Sequence, residues 1–159
     1  MPLNKENAIF ERAPLLTGRT EIEQTNKLNT GLIWSCSGNA FDTRRNLVDG
    51  RIAVNSNGRM AVVTGGADRD FLAPVNLPHG AIVTSVIVYG SISDETYSLI
   101  RVLLIDGATV STMATGNFNT QDSVITDEVI NNSSYAYFLV TSTLDSDDII
   151  YGARITYTI

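Results

Sequence analysis

The sequence predicts an all-β protein, an antiparallel two-sheet sandwich of the jelly-roll type with an extended N-terminal arm. Three observations carry this. Turn signals recur through residues 71–159 at the interval expected of sandwich strands. The stretches between them are rich in Val, Ile, Thr and Tyr, which suit a pleated, half-buried surface. No helical crossover interrupts them, so neighbouring strands pair antiparallel in two sheets packed face to face. An immunoglobulin-like sandwich shares this periodicity, and strand spacing alone does not separate the two.

Residues 1–30 read as an arm. They hold few apolar side chains at any sustained period, and residues 20–28 make one or two helical turns at most. Such a segment orders only against something else. Residues 31–159 form the sandwich domain. Short strands are predicted at 31–36, 51–55 and 59–64, the last two joined across the hairpin signal Asn57-Gly58. The stretch from Thr64 through Gly65 and Gly66 to Asp70 lacks the lysine of a phosphate-binding loop and reads as a connection.

Residues 81–89 supply a strand rich in Val and Ile. The next begins near Tyr97, with Ile100, Val102 and Leu104 as its inward set. Asp106-Gly107 is the strongest hairpin signal in the chain, followed by a strand over 108–115 that closes at Gly116-Asn117. Another strand is predicted at 123–130, then a turn at Asn131-Asn132-Ser133. Residues 134–142 place Tyr135, Tyr137 and Leu139 on one face and Ala136, Phe138 and Val140 on the other, the pattern of a central strand covered on both sides. The last strand, 149–159, puts Ile149, Tyr151, Ala153, Ile155, Tyr157 and Ile159 on a single face.

Residues 73–158 resemble a family of jelly-roll domains found in phage or viral appendage and decoration proteins and in bacterial surface proteins. The residues that carry the resemblance are Ala73-Pro74-Val75-Asn76-Leu77-Pro78-His79-Gly80-Ala81, the strand ending Val88-Tyr89, Ser134-Tyr135-Ala136-Tyr137-Phe138-Leu139-Val140, and residues 150–158. They are core and turn positions, so the resemblance implies a fold and no catalytic residue. Physically, Pro74 and Pro78 fix extended backbone and bracket a connection, and Gly80 turns the chain into the following strand.

The 159 residues are 43% hydrophobic and only 18% charged, with a net charge of −6. A domain of this length buries roughly two-thirds of its unfolded surface and needs neither disulfide nor metal to hold a core. An acidic chain with no basic stripe does not suit a nucleic-acid backbone, whose affinity comes from Lys and Arg. No apolar run approaches the roughly 18 residues that span a bilayer, so no membrane partner is expected. The first residues, with Lys5, Glu6, Glu11 and Arg12 among them, do not read as a secretory leader.

Cys36 and His79 are the single cysteine and the single histidine. A nucleophile–histidine pair must therefore use His79, which sits in a turn, while Cys36 follows Trp34 in an apolar strand and reads as a small hydrophobe. No catalytic residue, no cofactor and no zinc site is expected. Asp145, Asp147 and Asp148 are the weak calcium candidate, because calcium takes several hard oxygens, although their spacing matches no defined calcium loop. The aromatic residues, one Trp, six Tyr and five Phe, read mainly as core, with a sugar-binding face as the alternative.

Two non-enzymatic functions follow. In the first, the chain is a virion structural protein, a capsid decoration or a fibre or appendage component on the virion surface. It self-assembles, as a homotrimer, and grips a capsid or appendage protein through its arm. In the second, it is a carbohydrate-binding or adhesion module of a bacterial cell surface, with a glycan as partner and calcium through Asp145, Asp147 and Asp148.

Overall fold

Alternating polar and apolar residues leave a strand with one face to bury, and in this chain the buried faces of two sheets meet. A computed structural model describes residues 31–43, 52–54, 57–62, 70–92 and 94–159. Ten strands run through them: β1 (Leu32–Ser37), β2 (Asp42–Thr43), β3 (Ile52–Val54), β4 (Met60–Val62), β5 (Phe71–Val75), β6 (Ile82–Gly90), β7 (Thr96–Leu103), β8 (Val110–Asn117), β9 (Tyr135–Thr141) and β10 (Ile149–Thr158). The fold is the antiparallel, two-sheet, jelly-roll-type sandwich that the sequence predicts. The arm over residues 1–30, the helical turns at 20–28 and most of the loop after Thr64 lie outside the described residues.

The first sheet is built on β10, which pairs β1 on one edge and β6 on the other, with β4 and then β3 joined at its start. The second sheet has the order β2-β5-β9-β7-β8. Phe71, Ala73, Tyr97, Leu99, Tyr137 and Leu139 from the second sheet pack against Val83, Val86, Val88, Ile150, Ala153 and Ile155 from the first. Burying one such aliphatic or aromatic side chain contributes about 1.5–3 kcal/mol, which is why this shared core, in the absence of any disulfide, holds the two sheets together. The buried tyrosines keep their hydroxyls satisfied. That of Tyr97 lies 2.7 Å from the Val86 carbonyl, and that of Tyr137 accepts the Asn131 N–H at 2.7 Å.

The turn chemistry holds at Asn57-Gly58 and Asp106-Gly107, whereas Gly116-Asn117, expected to close a strand, lies within β8 and pairs with Tyr97 and Thr96. Gly58 and Gly107 have positive φ in the β3–β4 and β7–β8 connections. The Asp106 carboxylate accepts from the Ala108 and Thr109 N–H groups and from the Thr109 hydroxyl, bonds that hold its pKa below the ordinary carboxylate value.

Four further expectations are corrected. In β7 the inward residues are Tyr97 and Leu99, while Ile100 and Val102 are half-buried on the opposite face and Leu104 is 55% exposed. The apolar residues of that strand fall on both parities, so its neighbours decide which set goes inside. In β10 a bulge between Ile150 and Gly152 reverses the phase: Ile150 points into the core and Tyr151 outward. A side chain at Gly152 would meet the Cys36 carbonyl oxygen at 2.5 Å, so only glycine lets β1 approach there.

Pro74 lies within β5, facing outward, and does not bracket a connection. Finally, residues 123–130 form no strand. Their backbone bonds are divided between two partners, Val83 N–H to Glu128 O on one side and Thr126 N–H to Met113 O on the other. The segment therefore bridges the last strand of each sheet, β6 and β8, and Asp127 at φ 52° breaks any extended run.

Candidate binding face and cleft

The second sheet turns one face to the core and leaves the other without a packed layer among the described residues. Register places the outward side chains in rows across it: Leu72, Val140 and Ser98, then Pro74, Phe138 and Ile100, then Ala136 and Val102. Pro74 is exposed and the rest are half-buried, and none belongs to the core cluster. The second apolar set of β9, expected to be covered, is thus a surface. β9 is nonetheless central in its sheet, between β5 and β7.

Where β9 begins, this face deepens into a cleft of about 450 Å³ between the end of β5, the turn after β7 and the turn before β9. Pro74, Leu104 and Phe138 give it apolar walls, Asn76 and Asn132 bring side-chain amides, and Tyr135 stands at its inner margin on the core-facing side of β9. The lining contains no charged side chain. Asn132 is held in place: its amide donates to the Leu77 carbonyl at 2.9 Å, and its backbone N–H donates to Nδ1 of His79 at 3.2 Å. The Tyr135 ring is fixed by the Arg101 guanidinium 4.5 Å from its centroid, and that guanidinium is itself bound by Ser111 and Asp127. The outward ring of Phe138 beside positioned amides can stack a sugar ring and bond its substituents.

No protein-family pattern and no curated protein matches the chain. Solved structures do resemble it. One is the C-terminal CBM6 of LamC, a marine laminarinase from Zobellia galactanivorans, at 15% identity, covering 79% of this chain and 99% of that one with a TM-score of 0.44. A second is the xylan-binding module CBM15, at 12% identity, 80% and 97% coverage and a TM-score of 0.43. A third is a glycosylation-associated protein complex from Streptococcus agalactiae, at 10% identity, with 80% of this chain covering 26% of that one and a TM-score of 0.47. None of the three is named as a phage or viral protein.

The other residues singled out in the sequence lie elsewhere. Asp145, Asp147 and Asp148 form the turn between β9 and β10, at the end of β9 away from the cleft. Asp148 closes that turn by accepting the Asp145 N–H at 2.8 Å, and burial pushes its pKa up. Among the described residues no group of three or more His, Cys, Asp or Glu side chains is placed to hold a metal ion. Cys36 packs against the core from β1, and burial raises its thiol pKa, which suppresses the reactive thiolate. His79 is exposed and serves the turn that positions Asn132.

The sequence reading passed over Asn76, Asn132, Tyr135 and Phe138 as core or turn residues. One signal was present, since residues 135–140 are apolar at both parities, which puts an apolar set on each face of the strand.

Proposed function

We propose that this chain is a non-enzymatic glycan-binding module, acting at a cell surface, whose ligand is an uncharged sugar held in the cleft at the start of β9. One observation carries the reading: a preformed cleft that combines the aromatic surface of Phe138 with the amides of Asn76 and Asn132 and has no charged lining residue. A pyranose ring has apolar C–H faces and a hydroxyl rim, so it calls for an aromatic wall and for uncharged donors and acceptors. Acidic sugars would find no cation there. Of the two functions drawn from the sequence this is the second, and it is preferred because the cleft offers a ligand site. The attachment proposed for the arm rests on residues outside those described.

The test is a glycan array carrying neutral and acidic chains, followed by calorimetry on the best ligand. Neutral glycans are expected to be retained. Phe138→Ala is expected to weaken binding about tenfold, the loss of roughly 1.4 kcal/mol of stacking. Asn76→Ala removes about one hydrogen bond, or roughly fivefold. Chelating calcium is expected to change nothing, because the aspartate turn lies at the other end of β9. A flat array, or binding indifferent to both substitutions, would sink the reading.

A further inference from the structure

We propose that the outer face of the second sheet is where two copies of this chain meet, face to face about a twofold axis. The inference does not depend on the glycan reading. It starts from an asymmetry between the two sheets. The outer side of the first carries the cation Arg154 between Ser35 and Ile87, with Thr156 and Ile33 in the next row, whereas the second carries the uncharged rows centred on Phe138 and Ile100. A contiguous apolar face with no charge at its centre marks an interaction site.

Charge selects the occupant. The chain has a net charge of −6, so copies repel over most of their surface. Among the described residues, the strands of this sheet place one carboxylate on this face, Asp42, on the two-residue rim strand β2 opposite Leu72, and Asp70 stands at the same rim just before β5. Everything inside the rim is aliphatic, aromatic or hydroxyl-bearing, and two such faces meet without burying a charge. A face that matches itself pairs isologously, giving two copies rather than the three expected from the sequence.

The edges of this sheet offer little competing route. Along β8, the Asp122 carboxylate takes the Thr115 N–H at 2.9 Å and the Thr126 N–H takes the Met113 carbonyl at 2.8 Å, so another chain finds that edge already bonded. Along β5, Pro74 follows the short β2 pairing and brings no N–H of its own. On this sheet, a second copy therefore approaches face on.

Area sets the strength. With strands about 4.8 Å apart and about 3.3 Å per residue, the sheet spans roughly 20 by 23 Å, or about 450 Å² of flat area per copy. Two copies cover about 900 Å² before side-chain relief is added, close to the roughly 1,000 Å² at which a specific interface begins. The dimer is therefore weak and reversible, with a dissociation constant in the micromolar range.

Sedimentation velocity of the full chain, from about 1 to several hundred micromolar, tests this. The mass is expected to rise with concentration from one chain to two. Ile100→Glu sets a carboxylate near its symmetry mate and is expected to raise the dissociation constant more than tenfold. Ile100→Thr keeps the β-branched strand shape, guards against a folding artefact and is expected to weaken the dimer in the same direction. Ile33→Glu, on the outer face of the first sheet, should leave the association unchanged, with circular dichroism confirming the fold of all three. A single-chain mass at every concentration, a three-chain mass, or a dimer indifferent to both Ile100 substitutions would overturn the proposal.

Discussion

At the start of β7, Glu95 has one carboxylate oxygen, Oε2, buried without a hydrogen-bond partner. Burial, then a hydrogen bond with Asp94 and the charges of Asp148 and Asp94, pushes its pKa up to about 7. The folded chain therefore holds this proton more tightly than the unfolded chain. As pH falls from about 7 toward the ordinary glutamate value of 4.5, this group's contribution to stability improves, and above pH 7 its charged form opposes folding. Glu95→Gln, which is neutral at every pH, is expected to raise the melting temperature at pH 8 and to leave it nearly unchanged at pH 5. Equal shifts at both pH values would show that the charge is not the cause. Tyr97 is the contrasting case. Burial pushes its pKa up to about 12, so its hydroxyl stays protonated through this range and keeps bonding the backbone between the sheets.

Among the elements, the connection over residues 118–134 has the most to explain, because its hydrogen bonds close one side of the sandwich. It is launched by Asn119, at φ 62°, whose side chain accepts the Gly90 N–H and donates to the carbonyls of Gly90 and Ile92. Asparagine suits both tasks, since it tolerates left-handed backbone and carries a donor and an acceptor. Asn119→Ala is expected to destabilise the domain by about 2–3 kcal/mol, from lost bonds at about 1 kcal/mol each plus the left-handed strain. Asn119→Gly relieves only the strain and should recover a minor part, as read by urea denaturation. This connection was illegible in the sequence because Val124 and Val129 look like strand residues, yet both are exposed and the backbone between them serves two sheets in turn. The Asp106-Gly107 turn was legible because its chemistry is complete within four residues.

For the whole molecule, the proposed ligand and the proposed second copy share ground. Pro74 and Phe138 wall the cleft and also stand in the middle row of the apolar face. Occupying the cleft and pairing the faces are therefore mutually exclusive, and each must weaken the other by the same factor. A saturating neutral glycan is expected to drive the chain to a single-chain mass in sedimentation, and Ile100→Glu, which removes the competitor, is expected to tighten apparent glycan affinity at high protein concentration. If the glycan left the dimer intact, the two sites would have to lie on separate surfaces.

By itself, the sequence determined the sandwich, most of its strands and its turns, and argued against catalysis with one histidine and one cysteine. Those features are local, resting on a period of two, on residues that accept positive φ and on which side chains exist at all. Only the tertiary structure decided which of two apolar sets in β7 and β9 became core and which became surface. That choice rests on register, and register here depends on bulges where Met113 and Ile150 meet their neighbours and on bonds between residues far apart in the chain. A shift of one residue exchanges the faces of a strand, so the same apolar residues serve as core or as binding surface according to partners the local sequence does not contain.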